Sequence, residues 1–359
     1  MNPVSNTNTQ SSEPSKRILI FKLGAIGDCV MTLLGVHRAL HQNPNLKVTW
    51  VVDPGFVPVI QSLSLPAAIH VIEVSWASFL GKNGLLNQLR TWMRLWVQLA
   101  RSSLREQFDL VLVAYRARIY EWLLRPWVRT RLFKTFRRDL KPGEYHGEAI
   151  ARMLHSDSES NWFLETKKID LTFSQETKNK FDLKPKTVIL APGGAQNLLA
   201  DDWLRRWPVE SYSELARKLI AHGYQVVLVG GSSDAWVMPY FKDLNVHSLL
   251  GKTNLVELIW VMKQADCVVT HDSGPMHLAI LSETPFLALF GPTESKEKLP
   301  AFLHSSTVIE NSQTPCRPCY DGKQYAPCLT RACLARIQVE EVFRKLHLNQ
   351  ADQSALREL

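Results

Sequence analysis

The feature that most constrains the fold is a repeated alternation of short apolar segments with longer, helix-length segments. In the first half of the chain, β-branched and apolar residues predict strands at 17–22, 47–52, 69–74 and 109–114. After the polar stretch 165–186 the alternation restarts, and strands are predicted at 187–191, 225–229, 266–270 and 285–290. Alternation of this kind predicts parallel sheets covered by helices. The expected architecture is therefore α/β, with two Rossmann-like domains facing a central cleft.

The length of 359 residues also favours two domains, because it exceeds what one hydrophobic core usually organises. We predict a disordered tail over 1–15, a first domain over 16–168, a second over 169–335, and a C-terminal helix and tail over 336–359. The first fifteen residues lack a basic start followed by an apolar block, and no stretch is apolar enough to span a bilayer. A cytoplasmic protein is the resulting expectation.

The charge is unevenly distributed. The chain has 42 Lys and Arg against 34 Asp and Glu, a net charge of +8, which favours an anionic partner. Between Arg116 and Asp139, eight basic residues stand against two acids, interleaved with aromatic residues. Upstream, four arginines share one face of a predicted helix opposite Leu85, Leu89, Trp92, Trp96 and Leu99. This pattern fits either a core-facing helix with a solvated basic face or a surface that contacts an anionic membrane or its sugar headgroups.

A glycine-rich turn follows the first predicted strand. Gly24 and Gly27 precede Asp28, and a helix is predicted directly afterwards. Ligands bind at the carboxyl ends of parallel strands, where glycine allows a close backbone approach. The spacing matches neither the dinucleotide fingerprint nor the P-loop. Asp28 lies in the expected first helical turn, where it could simply favour the helix dipole.

A second motif, His271-Asp272-Ser273-Gly274-Pro275-Met276-His277, lies between a predicted strand and a short helix. Ser, Gly and Pro suit the cap and first turn of a helix, whose free amides form a ready diphosphate site. His277 is close enough to donate to the same anion, although a lone histidine is more often structural.

Three weaker signals follow other strands of the second half. Gly193 and Gly194 form a loop after its first strand, and Arg205 precedes its first helix, where a cation suits phosphate contact. Asp234 ends the loop after the next strand, where an acid can accept hydrogen bonds from ribose hydroxyls. Together with the Asp272–His277 motif, these loops predict one ligand site at the carboxyl edge of the second sheet.

Four segments resemble the signatures of glycosyltransferase family nine, which contains the ADP-heptose:lipopolysaccharide heptosyltransferases and has the GT-B fold. They are RILIFKLGAIGDCVMTL, APGGA with RRWPVESYSELARKLI, GYQVVLVGGSSD and VVTHDSGPMHLAILSETPFLALFGPT. The resemblance runs from about residue 17 to the C-terminal helix, and residues 77–168 are its least diagnostic part. It implies an acceptor-side first domain and a second domain that binds the donor nucleotide.

The resemblance also implies roles for individual residues. Asp28 matches the proposed catalytic base of the family, and Asp272, Ser273, Gly274 and His277 match its diphosphate and sugar contacts. Arg205 replaces the usual lysine, which keeps the charge but changes its geometry. The remaining expected contacts are Gly193, Gly194 and Asp234 for the donor, and Gly24, Gly27, Arg116 and Arg118 on the acceptor side.

The implied reaction is a single inverting displacement, without a catalytic cofactor. A heptose would pass from a nucleotide-diphosphate sugar, most simply ADP-heptose, to an anionic, lipid-linked lipopolysaccharide core acceptor; nucleic acid is not an expected partner. Peripheral contact with the cytoplasmic face of the inner membrane is possible on this interpretation. A protein or another glycan could instead be the acceptor, and a nucleotide-sugar-binding scaffold is the non-enzymatic alternative.

Four cysteines cluster near the C-terminus. Cys316, Cys319, Cys328 and Cys333 lie in the loop 315–333 with the spacing C-x2-C-x8-C-x4-C. In a cytoplasmic protein such a cluster more often binds a metal than forms disulfides. A structural zinc or iron ion is one interpretation, and disulfides or free thiols are the other.

Overall fold

The structure is a computed structural model that describes residues 15–154, 169–301, 303, 306–322 and 324–346. Its strands in chain order are β1 Arg17–Phe21, β2 Lys47–Val52, β3 His70–Glu73, β4 Phe108–Val113, β5 Thr130–Thr135, β6 Thr187–Leu190, β7 Gln225–Leu228, β8 Val246–Ser248, β9 Cys267–His271, β10 Phe286–Phe290 and β11 Ser306–Glu310. The α-helices are α1 Ile26–Gln42, α2 Val57–Gln61, α3 Trp76–Phe79, α4 Leu85–Arg105, α5 Arg118–Leu124, α6 Phe136–Asp139, α7 His146–Leu154, α8 Gln175–Lys180, α9 Val209–Ala221, α10 Leu255–Lys263, α11 Gly274–Ser282, α12 Ser295–Lys298 and α13 Ala332–Ala335. Short 3₁₀ helices occupy Pro54–Phe56, Arg125–Trp127, Trp203–Arg205 and Ser232–Phe241, and residues 339–346 are also helical.

The strands form two parallel sheets. The first has the order β3-β2-β1-β4-β5 and the second the order β11-β10-β9-β6-β7-β8. The predicted α/β class with two parallel sheets is confirmed. The domain limits drawn from the sequence stay predictions, and the tail 1–15 and the end of the chain lie largely outside the described residues.

Three strands were not anticipated from the sequence: β5, β8 and β11. Each lies at an edge of its sheet. An edge strand has a neighbour on one side only and is less enclosed, so its sequence need not carry a continuous apolar run. In β5 the sequence TRLFKT leaves Arg131 and Leu132 exposed.

Packing on the two faces of the first sheet follows the period-two alternation of its strands. In β1, Ile18 and Ile20 pack towards α1 and α7, whereas Leu19 and Phe21 pack towards α3 and α4. The core on the α1 side continues into the second sheet through α10 and α11. Helices α1 and α11, which start at the carboxyl edges of the two sheets, are therefore packed together.

The orientation of α4 differs from the amphipathic division expected from the sequence. Leu95 and Leu99 are buried and Trp96 is half-buried, but Leu85 and Leu89 are exposed. The reason is that α4 covers the sheet mainly with its middle and C-terminal turns. Among the described residues, no helix is both long and apolar enough to cross a membrane.

Candidate functional site

A cleft of about 810 Å³ lies where the carboxyl edges of the two sheets face each other. Loops after β1, β6, β7 and β9 line it, with Lys298 and the tyrosines of the cysteine-rich loop. Residues from every glycine-containing motif of the sequence therefore border one cleft. A groove of about 1020 Å³ at the opposite edge of the first sheet contains none of these motifs.

The turn after β1 is held by a side chain from the neighbouring strand end. The Tyr115 hydroxyl accepts hydrogen bonds from the amides of Leu23 (2.9 Å) and Gly24 (3.2 Å) and donates to the carbonyl of Gly24 (3.0 Å). A Cβ at Gly24 would overlap the Trp76 ring. The glycine thus allows the close approach that fixes the turn, and α1 begins two residues later.

Asp28 lies in the first turn of α1, as predicted, and forms an ion pair with Lys22. The distance from Lys22 Nζ to Asp28 Oδ2 is 2.6 Å. The Lys22 ammonium also donates to the carbonyl of Ala114 (3.1 Å) and lies 4.1 Å from the centroid of the Tyr115 ring. Burial would raise the pKa of Asp28, but Lys22 outweighs it and holds the pKa well below its ordinary value. Asp28 is therefore an ionised carboxylate at neutral pH, with 40% of its side chain exposed to the cleft.

His277 joins the first turns of α1 and α11. Its ring lies against Gly27 so closely that a Cβ there would overlap it. Burial lowers the pKa of His277 to about 4, against the opposing charges of Asp272 and Asp28. The imidazole is therefore neutral at pH 7. Within the described residues its buried Nδ1 has no hydrogen-bond partner, so one ring nitrogen is left to bind a ligand.

Two residues expected to contact the donor form an ion pair with each other. Arg205 Nη1 lies 3.2 Å from Asp272 Oδ2, the oxygen that also accepts from the Thr293 hydroxyl (2.7 Å). A second carboxylate, Asp202, lies 3.2 Å from Arg205 Nη2. Burial would raise the pKa of Asp272, yet Arg205 brings it down to about 2. Asp272 thus positions Arg205, whose buried Nε has no partner among the described residues.

Asp234 connects two of the glycine loops. Its Oδ1 accepts from the Gly194 amide (2.7 Å) and its Oδ2 from the Gly231 amide (2.8 Å). A Cβ at Gly193 would overlap the carboxyl group. Since both oxygens already serve backbone amides, the geometry gives Asp234 a structural role, and its contact with ribose stays a prediction.

The start of α11 has the amide-rich form expected of an anion site. The Ser273 hydroxyl donates to the carbonyl of His271 (3.1 Å) instead of capping the helix, and no side chain caps this end. Gly274 faces Ile26 of α1 across the cleft. The Gly274 amide therefore meets no competing side chain at the border of the cleft, whereas Pro275 has no amide hydrogen and the Met276 amide donates to the Ser273 carbonyl (3.1 Å).

The two arginines expected on the acceptor side lie apart from this centre. The Arg116 guanidinium packs against Gly322 of the cysteine-rich loop, where a side chain would overlap it. Arg118 is exposed at the start of α5. Neither lines the cleft, so the roles assigned to them stay predictions.

The predicted four-cysteine metal site is not assembled. All four thiols are free: Cys333 is buried beside Gly291, Cys316 is exposed, and Cys328 accepts from the amide of Arg331 (3.2 Å). Over the described ranges, no three His, Cys, Asp or Glu side chains come together as a metal-binding group. The physical reason is that Cys333 belongs to a helix packed into the core, whereas the other three lie on the irregular loop.

Several residues of the cleft were not singled out from the sequence. Lys298, Tyr320 and Tyr325 line it, and Lys22 and Tyr115 contact residues that do. Lys22 could have been recognised as a lysine that ends an apolar strand beside a glycine turn. The tyrosines and Lys298 carry no comparable signal, because they approach the cleft only through the tertiary fold.

Comparisons with known proteins identify similar sequences and folds. Residues 154–329 match glycosyltransferase family 9 (heptosyltransferase). Lipopolysaccharide heptosyltransferase 1 of Pseudomonas aeruginosa is 27% identical, over 92% of this chain and 90% of that protein. Lipooligosaccharide heptosyltransferase 2 of Haemophilus influenzae is 37% identical, but over only 29% of this chain and 32% of that protein. The chain thus aligns with about a third of the length of such heptosyltransferases 2.

Solved structures share the fold. The ADP-heptose lipopolysaccharide heptosyltransferase II of E. coli superimposes with a TM-score of 0.70 at 20% identity, covering 94% of this chain and 99% of that one. TibC, an iron-containing dodecameric glycosyltransferase of enterotoxigenic E. coli, gives 0.57 at 14% identity, covering 94% and 79%. The expected GT-B fold is thereby confirmed. Motifs, fold and family match agree, and residues 154–329 of the chain form a match to glycosyltransferase family 9, the heptosyltransferase family.

Proposed function

We propose that the protein transfers a heptose from a nucleotide-diphosphate sugar, ADP-heptose, to an acceptor in the lipopolysaccharide core. The proposal draws on the family match and on relatives named as lipopolysaccharide heptosyltransferases. It would place the enzyme on the cytoplasmic side of the inner membrane. A protein or another glycan is the alternative acceptor within the same family.

One observation carries the proposal: an ionised carboxylate on α1 faces an uncapped helix start on α11 across one cleft. A sugar transferase needs a base beside the acceptor hydroxyl and a site for the diphosphate opposite it. Asp28 supplies the first, and the Ser273–His277 turn supplies the second. A binding scaffold would need only the second.

The proposed reaction is an inverting displacement. The acceptor oxygen forms a bond to the anomeric carbon while its proton passes to Asp28, and the bond from that carbon to the phosphate oxygen breaks with its electron pair remaining on the diphosphate. A carboxylate with a lowered pKa is a weak base towards a free hydroxyl. It accepts the proton late, when the attacking oxygen has become acidic by bonding to carbon.

The departing diphosphate gains negative charge, which must be stabilised where it develops. The amides that begin α11 and the Arg205 guanidinium are placed to receive it, and His277 offers a neutral ring nitrogen. Asp272 keeps Arg205 in place through its ion pair. These groups give the chain its own means of stabilising the leaving group, and we expect no catalytic cofactor.

The deciding experiment is transfer by the purified chain from ADP-heptose to heptose-deficient lipopolysaccharide. Product mass should rise by one heptose residue. Mass spectrometry of lipopolysaccharide from a deletion strain tests the same proposal in the cell, where a core lacking that heptose is expected. Intact lipopolysaccharide together with loss of sugar from a protein would favour the alternative acceptor. Donor binding without any transfer would favour the scaffold.

We also propose that α4 places the enzyme on an anionic membrane surface. An α-helix turns by about 100° per residue, which places four apolar side chains of α4 within about 40° of one another around the helix axis. They are Leu86, Met93, Val97 and Leu104. These side chains are exposed, with Leu86 at 71% and Met93 at 54%. Trp127, which is partly exposed and stacks on Trp96 of α4, extends this apolar row.

A row of arginines runs beside the apolar row. This row projects about 70° from the apolar row around the helix axis and consists of Arg90, Arg94, Arg101 and Arg105. The sequence of α4 contains no acidic residue. An exposed apolar row next to a basic row is the composition of helices that lie in an anionic lipid interface. The N-terminal half of α4 is tied to α3 by hydrogen bonds from Gln88 and Trp92 to the carbonyl of Phe79. Since α3 also packs on the turn after β1, docking would bring the cleft close to a lipid-linked acceptor.

A structural zinc or iron ion bound by the four cysteines also remains a proposal. Its support is the cysteine spacing and a cytoplasmic setting, in which such clusters usually bind metal. Over the described ranges no three metal-binding side chains come together as a group. No step of the proposed transfer involves it.

A further inference from the structure

Lys298 is a buried cation without a counterion contact. It ends α12, its exposure is 9%, and it lines the cleft. Within the described part of the chain, its ammonium makes no hydrogen bond and no ion pair. A buried ammonium normally has such partners, because its desolvation is otherwise uncompensated.

The lysine beside the cleft and the arginine that lines it already have carboxylate partners. Lys22 is bound to Asp28 at 2.6 Å. Arg205 lies 3.2 Å from each of two carboxylates, Asp272 and Asp202. Their charges are matched before any ligand arrives, whereas Lys298 remains available for an incoming anion.

Two histidines near Lys298, the buried His277 and the half-buried His146, supply no further positive charge. Burial, together with the charge of Lys298, lowers the pKa of His277 to about 4 and that of His146 to about 3. Both rings are therefore neutral at pH 7. An anion in this part of the cleft would find Lys298 as its cationic partner.

The position of Lys298 connects it to the donor half of the cleft. It belongs to the segment after β10, and Thr293 of that segment donates to Asp272 Oδ2 at 2.7 Å. Asp272 in turn holds Arg205. The neighbouring Glu297 carboxylate accepts a hydrogen bond from the Gly143 amide (3.2 Å), which connects α12 to the loop between α6 and α7. Lys298 thus stands at the junction between the α11 start and the proposed base.

We propose that Lys298 binds the sugar-linked phosphate of the donor and stabilises it as the leaving group. This inference rests on the proposed function, since it presumes a nucleoside diphosphate in the cleft. When the bond between the anomeric carbon and the phosphate oxygen breaks, the electron pair stays on that oxygen. The ammonium then donates a charge-assisted hydrogen bond to an oxygen that has become more negative.

The test is a calorimetric titration of ADP and AMP into the wild type, Lys298→Gln and Lys298→Arg. Lys296→Gln is the matched control, because Lys296 lies in the same helix but is exposed. We expect Lys298→Gln to weaken ADP binding by about tenfold or more, the usual effect of losing one charge-assisted contact. AMP, which lacks the terminal phosphate, should bind the variant and the wild type alike. Lys298→Arg should retain most of the ADP affinity.

A melting curve separates binding from folding. Removal of an unpaired buried charge should leave the melting temperature of Lys298→Gln unchanged or raise it. Turnover should fall through kcat as well as KM for the donor, because the contact strengthens as the bond breaks.

The outcomes distinguish this inference from the function on which it rests. If the wild type binds neither ADP, UDP nor GDP, the proposed function fails and this inference fails with it. If the wild type binds ADP and Lys298→Gln binds it equally well, the inference alone is overturned. Unchanged ADP affinity with a raised KM for the acceptor would likewise overturn it, and would place Lys298 on the acceptor.

Discussion

Lys22 and Asp28, six residues apart, meet across the turn after β1 with 2.6 Å between the ammonium and the carboxylate. The lysine directly follows β1 and the aspartate lies in the first turn of α1, so the glycine turn between them brings the two side chains together. Lys22 keeps Asp28 ionised and fixes its position in the cleft. The proposed base is therefore a preformed part of the fold.

Asp28→Asn should abolish transfer and leave donor affinity within a few-fold. The amide keeps the size of the side chain but cannot take the acceptor proton. The measurements are turnover and ADP calorimetry on the purified variant. The control is Asp53→Asn, which makes the same change in a residue that follows β2 and also lines the cleft. Full activity in Asp28→Asn would remove Asp28 from the mechanism.

Lys22→Met should move the acid limb of the pH profile upward. Because Lys22 holds the pKa of Asp28 below its ordinary value, its removal lets burial raise that pKa. Asp28 would then become protonated, and inactive as a base, at a higher pH than in the wild type. The measurement is kcat/KM against pH, with exposed Lys47→Met as the control. An acid limb at the same pH in both variants would mean that Lys22 does not control Asp28.

Arg205→Ala and His277→Ala should each weaken ADP binding by roughly 1.5 to 3 kcal/mol, through loss of a contact to the diphosphate. Arg205→Ala should also lower the free energy of unfolding, because Asp272 is left as a buried carboxylate without its ion pair. Adding Asp272→Asn should recover stability but not ADP affinity. Unchanged dissociation constants in both single variants would place the diphosphate elsewhere.

Met93→Asp with Val97→Asp should reduce binding to anionic vesicles. Two carboxylates in the apolar row of α4 remove buried apolar area and repel the lipid headgroups. Cosedimentation with phosphatidylglycerol vesicles at low salt is the measurement, and Leu329→Asp is the control, since Leu329 is an exposed apolar residue outside α4. Transfer to a soluble acceptor fragment should persist. Equal binding by both variants and the wild type would rule out α4 as the docking surface.

Protein purified without a histidine tag should contain about one zinc or iron ion per chain if the cysteine loop binds metal. Elemental analysis measures this, and a chelator should then lower thermal stability before it lowers donor affinity. Metal-free protein in which Cys316, Cys319 and Cys328 react freely would contradict the metal proposal. The buried Cys333 serves as an internal comparison for thiol accessibility.

The sequence by itself determined the layered fold and the loops of the cleft. Central strands are enclosed on both faces, so their continuous apolar runs are visible in the sequence, and glycine turns mark where they meet helices. On that basis all seven inner strands, the edge strand β3, the start of α1 and the ligand-facing motifs could be placed. The edge strands β5, β8 and β11 could not, because an edge needs no such run.

Only the tertiary structure decided which side chains are paired and which remain available. Asp272 and Arg205 are both charged residues of donor motifs, yet they lie 67 positions apart and neutralise each other. Asp234 is committed to backbone amides, whereas Lys298, which no motif marks, has no partner among the residues that the structure describes. Such pairings depend on distances between loops of different strands, and these distances are set when helices α1 and α11 pack together. Local sequence determines which charges are present, but the packing of the two sheets determines which of them a ligand can meet.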